Sequence, residues 1–186
     1  MADLIVTEFI SLDGVMEAPG GEPGYVHTGW AGPYMGEEQV ELKFAQAQAV
    51  GSHLLGRVTY ESFAAGWSGR EGSFAERINS MPKYVVTGSP EEVTWTNSTA
   101  LAGDPIAAVR ELKEAESKSV LVVGSRTLVH SLLAAGLVDE LQLMVIPVAL
   151  GSGARLFPAS EHKVELRLTE SRRFANGVLE NTYRVV

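Results

Sequence analysis

The sequence predicts an α/β protein with a mixed, mostly parallel sheet, flanked by helices and ending in a C-terminal antiparallel hairpin. Three observations carry that expectation. Strand-like apolar runs alternate with helical patterns over the first two thirds of the chain. Ser119 to Val123 is a continuous apolar run, as a strand buried on both faces requires. Asn176-Gly177 sits between two late strand-like segments and is a strong hairpin signal.

In chain order, Leu4 to Phe9 is apolar and β-branched and reads as the first strand, leading into Ser11-Leu12-Asp13-Gly14. Glu17 to Gly36 is rich in Gly and Pro and carries Tyr25, His27, Trp30 and Tyr34. Aromatics among glycines suggest a lid over a ligand rather than a linker. Glu37 to Val50 reads as a helix with Val40, Phe44 and Ala47 as its apolar stripe. His53 to Leu55 is a short strand running into Gly56-Arg57-Val58-Thr59, and Tyr84 to Thr87 is another behind Pro82. Asp104-Pro105 supplies a cap and a first-turn proline for a helix carrying Ile106, Val109 and Leu112. After the buried run, Gly124-Ser125 breaks the strand, and Leu128, Val129, Leu132 and Leu133 mark a helix that Gly136 stops. Leu141 to Ile146, Val164 to Thr169 and Val178 to Val186 complete the strands.

The chain of 186 residues fits one domain, residues 1–186, large enough to bury a sizeable core. A net charge of −8 argues against nucleic-acid and anionic-membrane partners, though not against a local basic pocket. With no cysteine, disulfides, thiolate nucleophiles and Cys-ligated metals are excluded. The start lacks a signal-peptide pattern and no apolar run is long enough to span a bilayer, so a cytoplasmic protein is expected.

Three strand ends could carry chemistry. Gly56-Arg57-Val58-Thr59 and Gly124-Ser125-Arg126-Thr127 each join a strand to a helix. Each offers close backbone approach, free N–H groups and an arginine. Thr87-Gly88-Ser89 adds small hydroxyls beside a third strand. In an open α/β sheet such ends converge on a ligand, and this set suits a multiply phosphorylated nucleotide. Neither G-x-G-x-x-G nor a P-loop is present, nor a G-x-S-x-G elbow, nor H-E-x-x-H. His27, His53, His130 and His162 are scattered and read as packing or surface residues, so no metal site is expected. Glu37, Glu38 and Glu41 crowd one helix; they solvate its face, or one of them faces the cleft and helps protonate a substrate.

Together these segments resemble the dihydrofolate-reductase-like family, in particular the reductase domain of bifunctional riboflavin-biosynthesis deaminase-reductases. Ser11 to Gly14 resembles its S-L-D-G signature, and Leu55 to Glu61 its G-R-x-T-x-E cofactor turn. Gly124 to Leu128 with Gly136 to Leu141 is similar to its G-G-x-x-L…G-L-V-D-E-L block, and Gly151 to Phe157 to the G-x-G-x-x-L-F beyond. The resemblance implies a three-layer dihydrofolate-reductase-like fold, NADPH as hydride donor, a small heterocyclic or ribosylamino-pyrimidine-like substrate, and a homodimer. It places Gly56, Arg57 and Thr59 on the adenosine phosphates and Thr87 and Ser89 near the adenine ribose. Gly124, Ser125, Arg126, Thr127 and Leu128 would wrap the pyrophosphate, with Asp13 and Gly14 bordering the nicotinamide and substrate. Asp13 and Glu41 are the candidate catalytic residues. The alternatives are a dihydrofolate or pterin reductase and a non-catalytic nucleotide-binding dimer. The chain departs from the family at Ser125, where a second glycine is usual, and at Val123, where the biosynthetic enzymes commonly carry an acid.

Overall fold

A computed structural model describes residues 1–159 and 163–186; His162 lies outside the described residues. The strands are β1 (Leu4–Ser11), β2 (Ser52–Gly56), β3 (Lys83–Val86), β4 (Ser98–Leu101), β5 (Val120–Val123), β6 (Glu140–Ile146), β7 (Leu166–Arg173) and β8 (Leu179–Val185). The helices are α1 (Glu37–Ala49), α2 (Arg57–Trp67), α3 (Ser73–Ser80), α4 (Pro105–Ala115) and α5 (Arg126–Ala134). They build one sheet in the order β4-β3-β2-β5-β1-β6-β8-β7. Pairing is parallel from β4 through β6, and β8 and β7 add antiparallel at one edge. The expected mixed α/β sheet with a C-terminal hairpin is therefore present.

Both faces of the central strands are covered, which is why those strands are apolar without alternation. Leu4, Val6, Val120 and Val122 meet Val109, Leu128, Val129 and Leu132 of α4 and α5 on one side. Leu55, Val85 and Leu121 meet Ala47, Tyr60 and Ile78 of α1, α2 and α3 on the other. At the end of α5, Gly136 takes φ +64°; its N–H donates to Leu133 O and that of Leu137 to Leu132 O. That paired capping pattern requires a residue at ease in the left-handed region.

Two elements were not anticipated. α3 is short, with Phe74, Ala75 and Ile78 its only large or buried apolar contacts, and β4 is a four-residue edge strand without alternation. Lys83 ties this region together. It is fully buried, and its Nζ donates to the carbonyls of Ile78, Asn79 and Met81 at 3.0, 3.1 and 2.8 Å, at the C-terminal end of α3. The last hairpin also differs in detail. β7 starts at Leu166 rather than Val164, runs on to Arg173, and is exposed almost throughout, with a register shift between Leu168 and Glu170. Its alternation marks an edge strand with water on its side chains. Among the described residues no helix is long and apolar enough to cross a membrane.

Candidate functional site

The parallel strands end unevenly, and the unevenness makes a cleft. β5 stops at Val123, opposite Thr7. β1 runs on to Ser11, paired beyond that point with β6 alone. The space beside the free half of β1 is a cavity of about 780 Å³ lined by the ends of β2 and β5, the first turns of α2 and α5, and the 16–35 segment. That volume lies within the range of small-ligand pockets.

The wall is built from two strand-to-helix turns lying side by side. Gly56 N donates to Ser125 Oγ at 2.7 Å. A Cβ on Gly56 would stand 3.1 Å from that same oxygen, and one on Gly124 would stand 3.1 Å from Thr59 Oγ1. The turns thus interlock through glycines at which a Cβ would press on its neighbour across the wall. Gly124 and Ser125 both take left-handed φ, +58° and +66°. The chain thus turns through two successive left-handed residues although the second, Ser125, is not glycine. A non-glycine residue there costs about 1–2 kcal/mol, which the hydrogen bond from Gly56 offsets. Behind the glycines, α2 and α5 begin in the lining, and the first N–H groups of a helix have no partner within it. Those N–H groups, with Arg57 and Arg126, give the wall a chemistry suited to an anion. Arg57 is half-exposed and holds Glu61 at 2.6 Å. Leu128, in the first turn of α5, lines the cleft and belongs to the buried core.

Gly56, Arg57, Thr59 and Gly124 to Leu128 are thus brought together in the lining. Thr87 and Ser89 are not in it. They follow β3, one strand beyond Gly56, where Thr87 Oγ1 accepts from Ser89 N at 3.0 Å. Asp13 and Gly14 are also outside the lining. Asp13 instead clamps two loops: its carboxylate accepts from Ser11 Oγ, Leu150 N and Gly151 N at 2.6, 3.1 and 2.9 Å, with Arg155 near it. Those donors hold the carboxyl well below the usual carboxylate range, the Ser11 hydroxyl foremost. Glu41 is exposed on α1 and outside the lining. Lys43, two positions on and so about 200° round the helix, is the α1 side chain that reaches the cleft.

Sequence reasoning passed over that lysine and Glu8, a buried acid of β1 that also lines the cavity. A glutamate interrupting the apolar run Leu4 to Ile10 was the available signal. The 16–35 segment lines one side of the cleft and is anchored at Trp30 and Tyr25. Trp30 Nε1 donates to Glu17 O at 2.7 Å, Tyr25 Oη to Ser152 O at 2.7 Å, and Trp30 packs with Ala31 against Met144, Ile146 and Phe174. His53 is buried and both its nitrogens lack partners among the described residues; burial pushes it down to about 3, so it stays neutral. Among the described residues no group of three or more His, Asp or Glu could hold a metal ion.

An open α/β sheet with its cleft at the ends of the parallel strands and an antiparallel pair closing one edge defines a dihydrofolate-reductase-like protein. Solved structures share that fold. The putative riboflavin biosynthesis protein of Shewanella sp. PV-4 superposes with a TM-score of 0.76 at 20% identity, covering 100% of this chain and 99% of that one. Dihydrofolate reductase from Enterococcus faecalis, in a complex with NADP(H), gives 0.63 at 16% identity, covering 98% and 96%. The deaminase/5-amino-6-(5-phosphoribosylamino)uracil reductase of Thermotoga maritima gives 0.68 at 14% identity; this chain is covered fully and spans 57% of that protein. Within the fold, the chain belongs to the RibD C-terminal domain family, which matches residues 2–179. Its relatives include two proteins of Bacillus subtilis (strain 168). YyaP is 31% identical over 57% of this chain and 56% of its own length. YwjB is 30% identical over 70% and 72%.

Proposed function

We propose that the chain is an NADPH-dependent reductase that transfers hydride to a small heterocyclic or ribosylamino-pyrimidine-like substrate. The observation that carries the reading is the pair of interlocked turns, Gly56 to Thr59 and Gly124 to Leu128. They leave bare backbone and two helix N-termini beside two arginines on one wall of a cleft. Such a wall fits a dinucleotide pyrophosphate, and Arg57, released from Glu61, is the partner for a 2′-phosphate. Family membership and the reductases that share the fold support the same reading.

When bound, the cofactor supplies hydride; the protein supplies position and electrostatics. In this reading Gly56 and Thr59 meet the adenosine phosphates, and Thr87 and Ser89, farther along the row of strand ends, flank the adenine ribose. Asp13 acts as a positioning residue, fixing the loops around Gly14 and Gly151, while Glu41 on the outer face of α1 takes no part in proton transfer. The unpaired outer edge of β7 is the place where a second copy would join.

The test is calorimetric titration of the protein with NADPH and NADH, followed by NADPH oxidation with 5-amino-6-(5-phosphoribosylamino)uracil and with dihydrofolate. Tighter binding of NADPH and oxidation with the first compound are expected. Turnover of dihydrofolate alone would make the protein a pterin reductase. Binding without oxidation by either would favour a nucleotide-binding role, and binding of neither cofactor would overturn the reading. Sedimentation at equilibrium reports the dimer.

A further inference from the structure

The floor of the cleft holds two ionisable side chains to which the reading above gives no task. Glu8 lines the cavity yet is only 5% exposed, and its Oε1 is buried with no hydrogen-bond partner among the described residues. Lys43 reaches the same floor from α1. Its Nζ donates to Thr7 Oγ1 at 2.8 Å and Gln46 Oε1 at 3.0 Å, and lies 5.0 Å from the centre of the Phe9 ring. Gln46 in turn donates to Glu180 Oε1 of β8 at 2.7 Å. Lys43 is thus anchored from two strands and its own helix, with two of its three N–H groups committed. Glu8 Oε1 has no such bond among the described residues, so the Glu8 carboxyl keeps bonding capacity for a ligand on the floor.

Burial without a partner disfavours an ionised carboxylate. It pushes Glu8 up to about 8, against the opposing pull of Lys43. Burial also lowers Lys43, against the pull of Glu180 and Glu8. Glu180 is raised by its own burial, with Lys43 opposing and Glu170 of β7 adding repulsion. Arg57 and Arg126 stand on the wall. Burial thus favours the protonated form of the Glu8 carboxyl, while Lys43 is near enough to favour the anion left when the proton departs.

We propose that Glu8 is the proton donor of this cleft, with Lys43 as the positioning residue that steadies its carboxylate, acting on a C=N or C=O bond whose carbon accepts hydride. The inference rests on the reductase reading. The substrate carbon gains hydride from the reduced nicotinamide, which is oxidised. The π pair of the double bond moves to the heteroatom, and the O–H bond of Glu8 breaks to give that heteroatom its proton. Glu8 is left as a carboxylate that the charge of Lys43 favours, and it regains a proton from water through the open mouth of the cleft. The substrate class that follows is a small polar molecule with a C=N or C=O bond whose carbon takes hydride while its heteroatom takes the proton.

Infrared difference spectroscopy of the whole protein decides the first part. Wild type minus Glu8→Gln should show a carboxylic C=O band that persists above pH 6 and titrates away near pH 8. Lys43→Met should move that midpoint upward, because the cation favouring the anion is gone. The second part uses 2,4-diaminopyrimidine, whose basic ring nitrogen imitates the proton acceptor, with NADPH bound. Adding it at pH 7 should abolish the Glu8 band, and Glu8→Gln should bind it at least 10-fold more weakly while NADPH affinity and melting temperature hold. A Glu8 already ionised at pH 6, a band that survives the bound probe, equal probe binding by Glu8→Gln, or no probe binding to the wild-type complex would each overturn the proposal. Failure of NADPH itself to bind would break the reductase reading instead, and the ligand-free titration would still report the state of Glu8.

Discussion

Glu8 and Asp13 are carboxylates on one short stretch of chain, one inside β1 and one just past its end, and their surroundings drive them in opposite directions. Asp13 is surrounded by donors: the Ser11 hydroxyl and two backbone N–H groups from the 150–151 turn hold it ionised. Glu8 has a buried oxygen with no donor and is held neutral at ordinary pH. Asp13, the residue in the family signature, is bonded into a loop clamp, while Glu8 sits under-bonded inside a strand that reads as plain core. An ionised, fully bonded carboxylate can fix loops but has no proton to give; an under-bonded buried one does.

The largest effect expected from breaking this contrast comes from Asp13→Ala. It strips the 150–151 turn of its acceptor, so the melting temperature should fall by several degrees and limited proteolysis should open the 148–157 loop first. If stability were unchanged while turnover vanished, Asp13 would be chemical rather than structural. Next is the pH dependence, where the two acids act with opposite sign. A carboxyl raised by folding stabilises the native state only while protonated. Glu8's contribution is therefore complete below its ordinary 4.5 and lost as pH climbs through about 8. Glu8→Gln should accordingly gain in melting temperature relative to wild type as pH rises from 5 to 9. Asp13 is depressed by folding, so its contribution is present above its ordinary 3.8 and is lost as pH falls below that. Asp13→Asn should therefore differ from wild type at pH 7 and converge with it in acid.

A third variant moves from the floor to the wall. Arg57→Ala should weaken NADPH by about 10-fold, the order of one charge-assisted bond to phosphate, while barely changing NADH in the same calorimetric titration. Equal losses would assign the 2′-phosphate elsewhere, with Arg126 the next candidate. The smallest effect is expected at Ser125. Ser125→Ala keeps the left-handed strain and removes the acceptor for Gly56 N, costing about 1 kcal/mol, or roughly 2–4 °C in a chain of this size. Ser125→Gly loses the same bond but relieves the strain, so it should melt closer to wild type than Ser125→Ala.

Much of the fold was legible because its signals are local. Asp104 caps α4 through Ala107 N with Pro105 at the first turn, Gly136 ends α5, and Asn176-Gly177 turns the last hairpin. The apolar run at β5 is buried on both faces. The turns at Gly56 and Gly124 were also legible, since glycine before a helix is a local demand of backbone geometry. α3 and β4 were not, because what holds them is distant. α3 is closed by the buried Lys83 ammonium, and β4 by pairing with β3 alone.

By itself the sequence determined the order of strands and helices, the caps and turns, and the family resemblance, because each depends on a few neighbouring residues. The tertiary structure decided where β5 stops beside β1, and with it which side chains face the cleft. It turned Lys43 inward and Glu41 outward on α1, bound Asp13 into a clamp, and left Glu8 Oε1 without a donor among the described residues. A charge acquires its role from distant donors and from the water it loses, and only the packed chain fixes either.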